Sequence, residues 1–275
     1  MKNIHIILVC LLLSLCVNMP AFAQGDAKEQ ITVPLSNPGK PGKLNVDLTN
    51  GAIKVTGYDG KEVIVEASAV THKGDDENTG TTANGMKRIS NNAFSLEVEE
   101  NNNEVDIDTD SWRRKIDLVV RVPKNFSLEL EAVNQGNIQV EGVNGAMEIS
   151  NVNGKITLTN VSGSVVANTV NGDITVTFRE VTPNTPMAFT TLNGSVDVSF
   201  PGNAKFNTKI KSDRGDIFTD FDMSVDNSRP KVEQKSSSGT YRVSIDEWVY
   251  GKINGGGPEM LFKNMHGNIY IRKTK

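Results

Sequence analysis

Three aspartates stand close behind glycines that recur down the second half of the chain: Asp173 after Gly172, Asp197 in the pattern opened by Gly194, and Asp216 after Gly215. If each glycine opens a strand of one sheet, the three carboxylates fall on successive coils of a single outer face. A cation or a sugar could then bridge neighbouring pairs. Two carboxylates flanking a bond are also what general acid and base chemistry on a polysaccharide requires. The plainer role is to keep an exposed strand soluble, and no second polar shell accompanies the trio. The same face carries Phe218, Arg242 and Tyr270, with Trp248 and Tyr250 in a nearby loop. Aromatic side chains there could stack on sugar rings or bury against a protein partner. The loop from Asp246 to Gly257 is expected to fold over the sheet and cover them.

Other chemistry is thin. Asp106, Asp108 and Asp110 alternate along one strand and would share a face, about 6.8 Å apart, where calcium would need further converging oxygens; a solvated strand face is the simpler reading. The segment from Gly74 to Asn78 lacks the ligand spacing of a calcium loop. Thr157/Thr159 and Thr175/Thr177 repeat on two coils only, which β-propensity explains. Beyond the first 23 residues the histidines are His72 and His266, and no cysteine remains. That inventory suggests neither a transition-metal cluster nor a Ser/His/Asp or Cys/His arrangement. No cofactor is expected, and no phosphate-cradling loop precedes a helix.

The elements that must position these residues are set by a glycine register. Gly136, Gly145, Gly154, Gly163 and Gly172 recur every nine residues. The second residue after each is apolar (Ile138, Met147, Ile156, Val165, Ile174), and so is the fourth (Val140, Ile149, Leu158, Ala167, Val176). Up to Gly163 the seventh is apolar as well: Val143, Val152, Val161 and Val170. Period-two alternation gives a short strand with one buried face, and the Asn-Gly pairs at 144/145, 153/154 and 171/172 supply residues that tolerate positive φ at a tight turn. A fixed short period is the signature of a solenoid. Two nine-residue units make one coil with two facing strands. Every second glycine continues the series through Gly194, Gly215, Gly239 and Gly267, with spacing that grows from 18 to 28 residues. The coil therefore widens toward the C-terminus, where Phe178, Phe200 and Phe221 add bulk to the interior and are expected to stack as a ladder.

The first 23 residues read as a secretory signal: Lys2, an apolar run from Ile6 to Val17, and Ala21-Phe22-Ala23 before Gln24. Cys10 and Cys16 leave with it, so the exported chain must hold together without disulfides. Only Lys2 of the charged residues leaves too, taking the formal charge from −4 to −5. A mildly acidic chain with no basic run argues against nucleic acid as a partner. No later apolar run approaches the roughly 20 residues that span a bilayer. Residues 24–43 form an extension, and the solenoid domain runs from 44 to 275 with a polar projecting loop at 72–90. Arg272, Lys273 and Lys275 on the last strand would guard an open sheet edge.

Residues 117–178 carry a strand ending Val122-Pro123, a second strand, and then the run of Gly-x-Ile/Val-x-Val repeats. In this the chain resembles a widespread bacterial family that carries a domain of unknown function and whose members are commonly labelled adhesins. The likeness extends from residue 44 to the C-terminus. The resemblance implies a right-handed β-solenoid, exported or surface-displayed, and brings no catalytic residues with it.

The expectation is thus an all-β protein, a single parallel β-solenoid exported to the periplasm or cell surface. It acts as a monomeric, non-enzymatic, adhesin-like module that contacts an envelope glycan or protein through the outer face of the first sheet. The alternatives are a polysaccharide-acting enzyme using Asp173, Asp197 and Asp216, and an architectural scaffold that assembles end to end.

Overall fold

The computed structural model describes residues 28–69, 96–109, 114–134, 136–226, 231–237, 240–246 and 248–274. The expected leader, the expected polar loop at 72–90 with His72, and Asp110 lie outside the described residues. So do the side chains of 231–246, Arg242 among them.

Among the described residues twenty strands form one hydrogen-bonded sheet wound into two facing walls. The first wall opens with the antiparallel strands Lys28–Pro34 and Glu62–Ala69 and passes to Ile116–Pro123. From there it is parallel through Ile53–Tyr58, Ile138–Glu141, the start of Ile156–Asn171, Ile174–Val181, Val196–Phe200, Ile269–Lys273 and Ile217–Thr219. The second wall opens with the antiparallel pair Leu96–Asn101 and Glu104–Thr109. It continues in parallel through Gly42–Asn50, Phe126–Asn134, Asn144–Asn153, the later part of Ile156–Asn171, Met187–Asn193, Glu259–His266 and Phe206–Arg214. Antiparallel Val249–Ile253 and Met223–Val225 close it. This is the expected all-β parallel solenoid, with antiparallel strands ending three of its four wall edges and so blocking further parallel growth.

The glycines are demanded by stacking rather than by turn geometry. Gly136, Gly154 and Gly172 do not have positive φ. A Cβ on Gly136, Gly154, Gly172 or Gly194 would instead fall against the carbonyl oxygen of the matching glycine one coil back. The corner is so tight that only a hydrogen fits between successive backbones. Two polar ladders brace it. On the inner side, Asn151 Nδ2, Thr169 Oγ1, Thr191 Oγ1 and Asn264 Nδ2 donate to the carbonyls of Gly136, Gly154, Gly172 and Gly194 at 2.9–3.1 Å. On the outer side the amides of Asn153, Asn171 and Asn193 donate in series to Asn134, Asn153 and Asn171. The corner glycine carbonyls that burial would orphan are thereby paired, while Asn151 Oδ1 and Asn264 Oδ1 stay buried without a partner among the described residues.

The inward residues Ile138/Val140, Ile156/Leu158, Ile174/Val176 and Val196/Val198 are all buried. The C-terminal half is filled by phenylalanines, as the widening requires. Phe178 and Phe200 stack at 5.2 Å with an 11° interplanar angle, and Phe189 and Phe262 stack at 5.4 Å on the facing wall. Edge-on contacts at 6.3–6.4 Å tie the two stacks together. Phe221 does not continue the Phe178–Phe200 stack; it meets Phe206 edge-on at 6.0 Å.

The reason is winding order. The C-terminal coil, Glu259–His266 with Ile269–Lys273, is inserted between the coil of Val196–Phe200 and that of Ile217–Thr219. Arg272 and Lys273 therefore lie inside the stack and guard no edge. The strand that follows Gly239 does not join the wall either: Thr240–Asp246 pairs antiparallel with Lys231–Ser237 in a separate two-stranded sheet, and Gly239 itself lies outside the described residues. The seventh-position valines also divide. Val143 and Val161 are buried, whereas Val152 and Val170 are exposed on the second wall.

Candidate functional site

The first wall turns a polar outer face to solvent, with Gln139, Thr157, Thr175 and Asp197 in one row. At the C-terminal end of that row the character changes. Tyr270 registers beside Asp197 and Phe218 beside Tyr270, because the inserted strand brings Tyr270 between them. The Phe218 and Tyr270 rings stack at 5.2 Å with a 12° interplanar angle. Arg272 lies over Tyr270 at 4.6 Å from the ring centroid and gives Asp197 a two-contact ion pair through Nε, at 2.9 and 3.1 Å. That hydrogen bond to Asp197 is the first cause holding the Arg272 proton more tightly than usual. Asn268 Nδ2 donates to Tyr270 Oη at 3.0 Å.

Phe218 is 46% exposed. Tyr270 covers one ring face, and among the described residues Ile217–Thr219 pairs with no strand other than Ile269–Lys273, so no further described coil of the wall lies against the other face. An aromatic surface flanked by a guanidinium, a carboxylate and an amide is suited to stacking on an apolar ring face while hydrogen-bonding its polar rim.

Of the six residues singled out in the sequence, three meet here: Asp197, Phe218 and Tyr270. Arg242 does not join them in the wall, since its strand lies in the separate hairpin. Arg272 takes the cationic place instead, and it was hidden because its spacing reads as a terminal strand. Trp248 and Tyr250 do not cover the aromatic pair. Trp248 packs under Lys209 and Lys211 at 4.8 and 5.8 Å, and Tyr250 registers beside Lys209, both on the second wall.

The aspartates serve separate ends. Asp173 is a corner acceptor: Lys155 Nζ donates to one oxygen at 2.8 Å and the Ser195 amide to the other at 3.0 Å. The Lys155 hydrogen bond, then the Ser195 amide, hold its carboxyl below the usual aspartate range. Asp117 accepts from the Ala52 amide in the same way at 2.9 Å. Asp197 is engaged by Arg272. Asp216 lies one coil beyond Asn268, to which its amide donates at 3.0 Å. A whole coil therefore separates the positions of Asp197 and Asp216, and the three carboxylates are not on successive coils. Asp106 accepts from Asn45 at 2.7 Å. Among the described residues no three acidic, histidine or cysteine side chains converge on a point.

Fold and surface together define an all-β solenoid that presents flat, ordered outer faces. The chain belongs to the Toastrack DUF4097 family, a domain of unknown function whose model matches residues 17–248. Solved structures similar to it include a candidate cell adhesion protein from Clostridium sporogenes, at 12% identity and TM-score 0.43, covering 91% of this chain and 100% of that one. A candidate adhesin from Bacteroides fragilis is similar at 12% identity and TM-score 0.41, covering 90% of this chain and 98% of its own. No curated protein matches the chain.

Proposed function

We propose that the protein is an exported, non-enzymatic, adhesin-like binding module of the bacterial cell envelope or surface. Its contact point is the Phe218–Tyr270 pair with Arg272 and Asp197, and the ligand is an envelope glycan. The observation that carries this reading is the stacked aromatic pair at the end of an otherwise polar sheet, Phe218 exposed and Tyr270 half-buried, with an ordered ion pair beside it. Sugar rings offer an apolar C–H face to such rings and hydroxyls to the flanking charges. Acid–base hydrolysis would need one carboxyl raised to hold a proton near neutrality. Among the described carboxyls whose proton affinity is displaced, Glu100, Glu104 and Asp173, each is displaced downward by hydrogen bonds. No helix of the described residues is long and apolar enough to cross a membrane.

The test is binding to an array of bacterial envelope glycans by wild type, Phe218→Ala and Tyr270→Ala. Loss of one stacking ring should weaken binding about tenfold or more while the β-sheet circular dichroism spectrum stays unchanged. Absence of glycan binding by wild type, or equal binding by all three proteins, would sink the proposal.

A further inference from the structure

The second wall carries a feature that the first lacks. Val133, Val152, Val170, Leu192 and Met265 stand on five adjacent strands and, by the register of their flanking pairs, form one continuous line along the outer face. Each is 37–42% exposed. At a strand spacing of about 4.8 Å the ridge is about 19 Å long. The asparagine ladder at the adjacent corner holds it in place. Val166, 41% exposed, adds apolar surface to the middle of the same face. Single exposed aliphatics need no explanation, but an ordered row of five does.

Charge is graded along this wall. Glu129, Glu131 and Glu148 point outward from the strands before the ridge centre, with Lys43 paired to Glu129, whereas Lys263, Lys209 and Lys211 point outward from those after it, with Asp213 paired to Lys211. Glu131, Glu148 and Lys263 have no ion-pair partner among the described residues. Trp248 lies beside Lys209 and Lys211 at the basic end.

We propose that this wall is a docking surface for a second copy of the same chain, related by a two-fold axis that runs along the strands between Val170 and Leu192. Such an axis reverses the solenoid direction and lays Val152, Val170, Leu192 and Met265 on the same four residues of the other copy, with Val133 at the edge of the contact opposite Asp213. Val170 then faces Leu192 of the other copy, Val152 faces Met265, and the Glu131 strand faces the Lys211 strand. The acidic end of each protomer meets the basic end of the other. A parallel arrangement would instead set acid on acid, and a partner of uniform charge would be repelled at one end. A self-complementary patch is what a two-fold contact requires. Six strands and three outward rows cover about 30 by 20 Å, or about 1,200 Å² counted over both copies, the lower end of the range for a specific interface. This surface is distinct from the Phe218–Tyr270 site and does not depend on it. It replaces the monomer expected from the sequence.

Residues 24–275 contain no cysteine, so single-cysteine variants report orientation directly. Light scattering over a concentration series should show a dimer that weakens as salt is raised to about 0.5 M. The variant Val170→Glu/Leu192→Glu should weaken association about a hundredfold or more. Glu131→Cys and Lys211→Cys proteins, both altered at surface positions, should form a disulfide with each other when mixed and not when each is oxidised alone. A wild type that stays monomeric to about 100 μM, weaker than a specific interface of this size should allow, would overturn the proposal. So would a dimer unaffected by Val170→Glu/Leu192→Glu, or Glu131→Cys protein that cross-links to itself as readily as to Lys211→Cys protein.

Discussion

Replacing Gly172 by alanine adds one methyl group at the corner where successive coils come closest. That Cβ would meet the carbonyl oxygen and carbon of Gly154 and the amide nitrogen of Lys155, where contact needs about 3.2 Å or more. The neighbouring group is backbone, so no side chain can rotate away, and the coil itself must shift. A shift strains the hydrogen bond from the Gly172 amide to the Asn193 carbonyl at 3.0 Å and the one from Thr191 Oγ1 to the Gly172 carbonyl at 2.9 Å. Overpacking costs about 1–3 kcal/mol, and weakening one hydrogen bond costs about 1 kcal/mol more. The reduced entropy of the unfolded alanine chain offsets about 0.5 kcal/mol. The net expectation is about 1.5–3.5 kcal/mol. Gly202 is the internal control: its φ is ordinary and a Cβ there meets nothing within 4 Å, so Gly202→Ala should stay within about 0.5 kcal/mol of wild type. Urea unfolding of the two variants measures the difference. Gly172→Asn sharpens it, because asparagine tolerates positive φ but fills more space, and it should be worse than alanine. If Gly172→Ala matches Gly202→Ala, or if asparagine restores stability, close stacking is not what the corner glycines serve.

Two further outcomes follow from the same geometry. The Asp173 carboxyl is held below its ordinary range by Lys155 and the Ser195 amide, so its stabilisation is fully present above the unfolded-state aspartate pKa and is lost as pH falls through the lower folded value. Asp173→Asn keeps an acceptor for the amide but loses the exposed ion pair. It should cost less than about 1 kcal/mol at pH 7, and the gap from wild type in urea midpoint should close in acid. Phe200 touches Phe178, Phe189, Phe206 and Phe262. Phe200→Ala should cost about 3–5 kcal/mol in urea unfolding; a cost under about 1 kcal/mol would mean that the rings are not packed as described.

Much of the fold is legible in the sequence because stacking and alternation leave their mark at fixed positions. Gly136, Gly154 and Gly172 announce the corner, and Ile156/Leu158 and Ile174/Val176 announce the buried face. Winding order leaves no such mark. The pattern Asn268-Ile269-Tyr270-Ile271 fits any coil of the column, and only the packed structure shows it entering between Val196–Phe200 and Ile217–Thr219. Gly239 mimics the register since period-two alternation is common to parallel and antiparallel strands. Val152 and Val170 share their spacing with the buried Val143 and Val161, yet the second corner of the coil turns them outward. Three of the four contact residues could be read in advance, Asp197, Phe218 and Tyr270. Arg272 could not, because its partner Asp197 is 75 residues away in sequence.

Both the aromatic site and the order of coils depend on the C-terminal strand lying beside Val196–Phe200, and paired cysteines in a protein of residues 24–275, which contain none, test that placement directly. Asp197 and Tyr270 are register partners on adjacent parallel strands, within disulfide reach at about 5 Å between Cα atoms. Oxidised Asp197→Cys/Tyr270→Cys protein is predicted to form an intramolecular disulfide, while Asp197→Cys/Phe218→Cys, two strands apart at about 10 Å, is predicted to form none. The opposite result, a bond between positions 197 and 218 and none between 197 and 270, would show coils stacked in chain order and contradict the account.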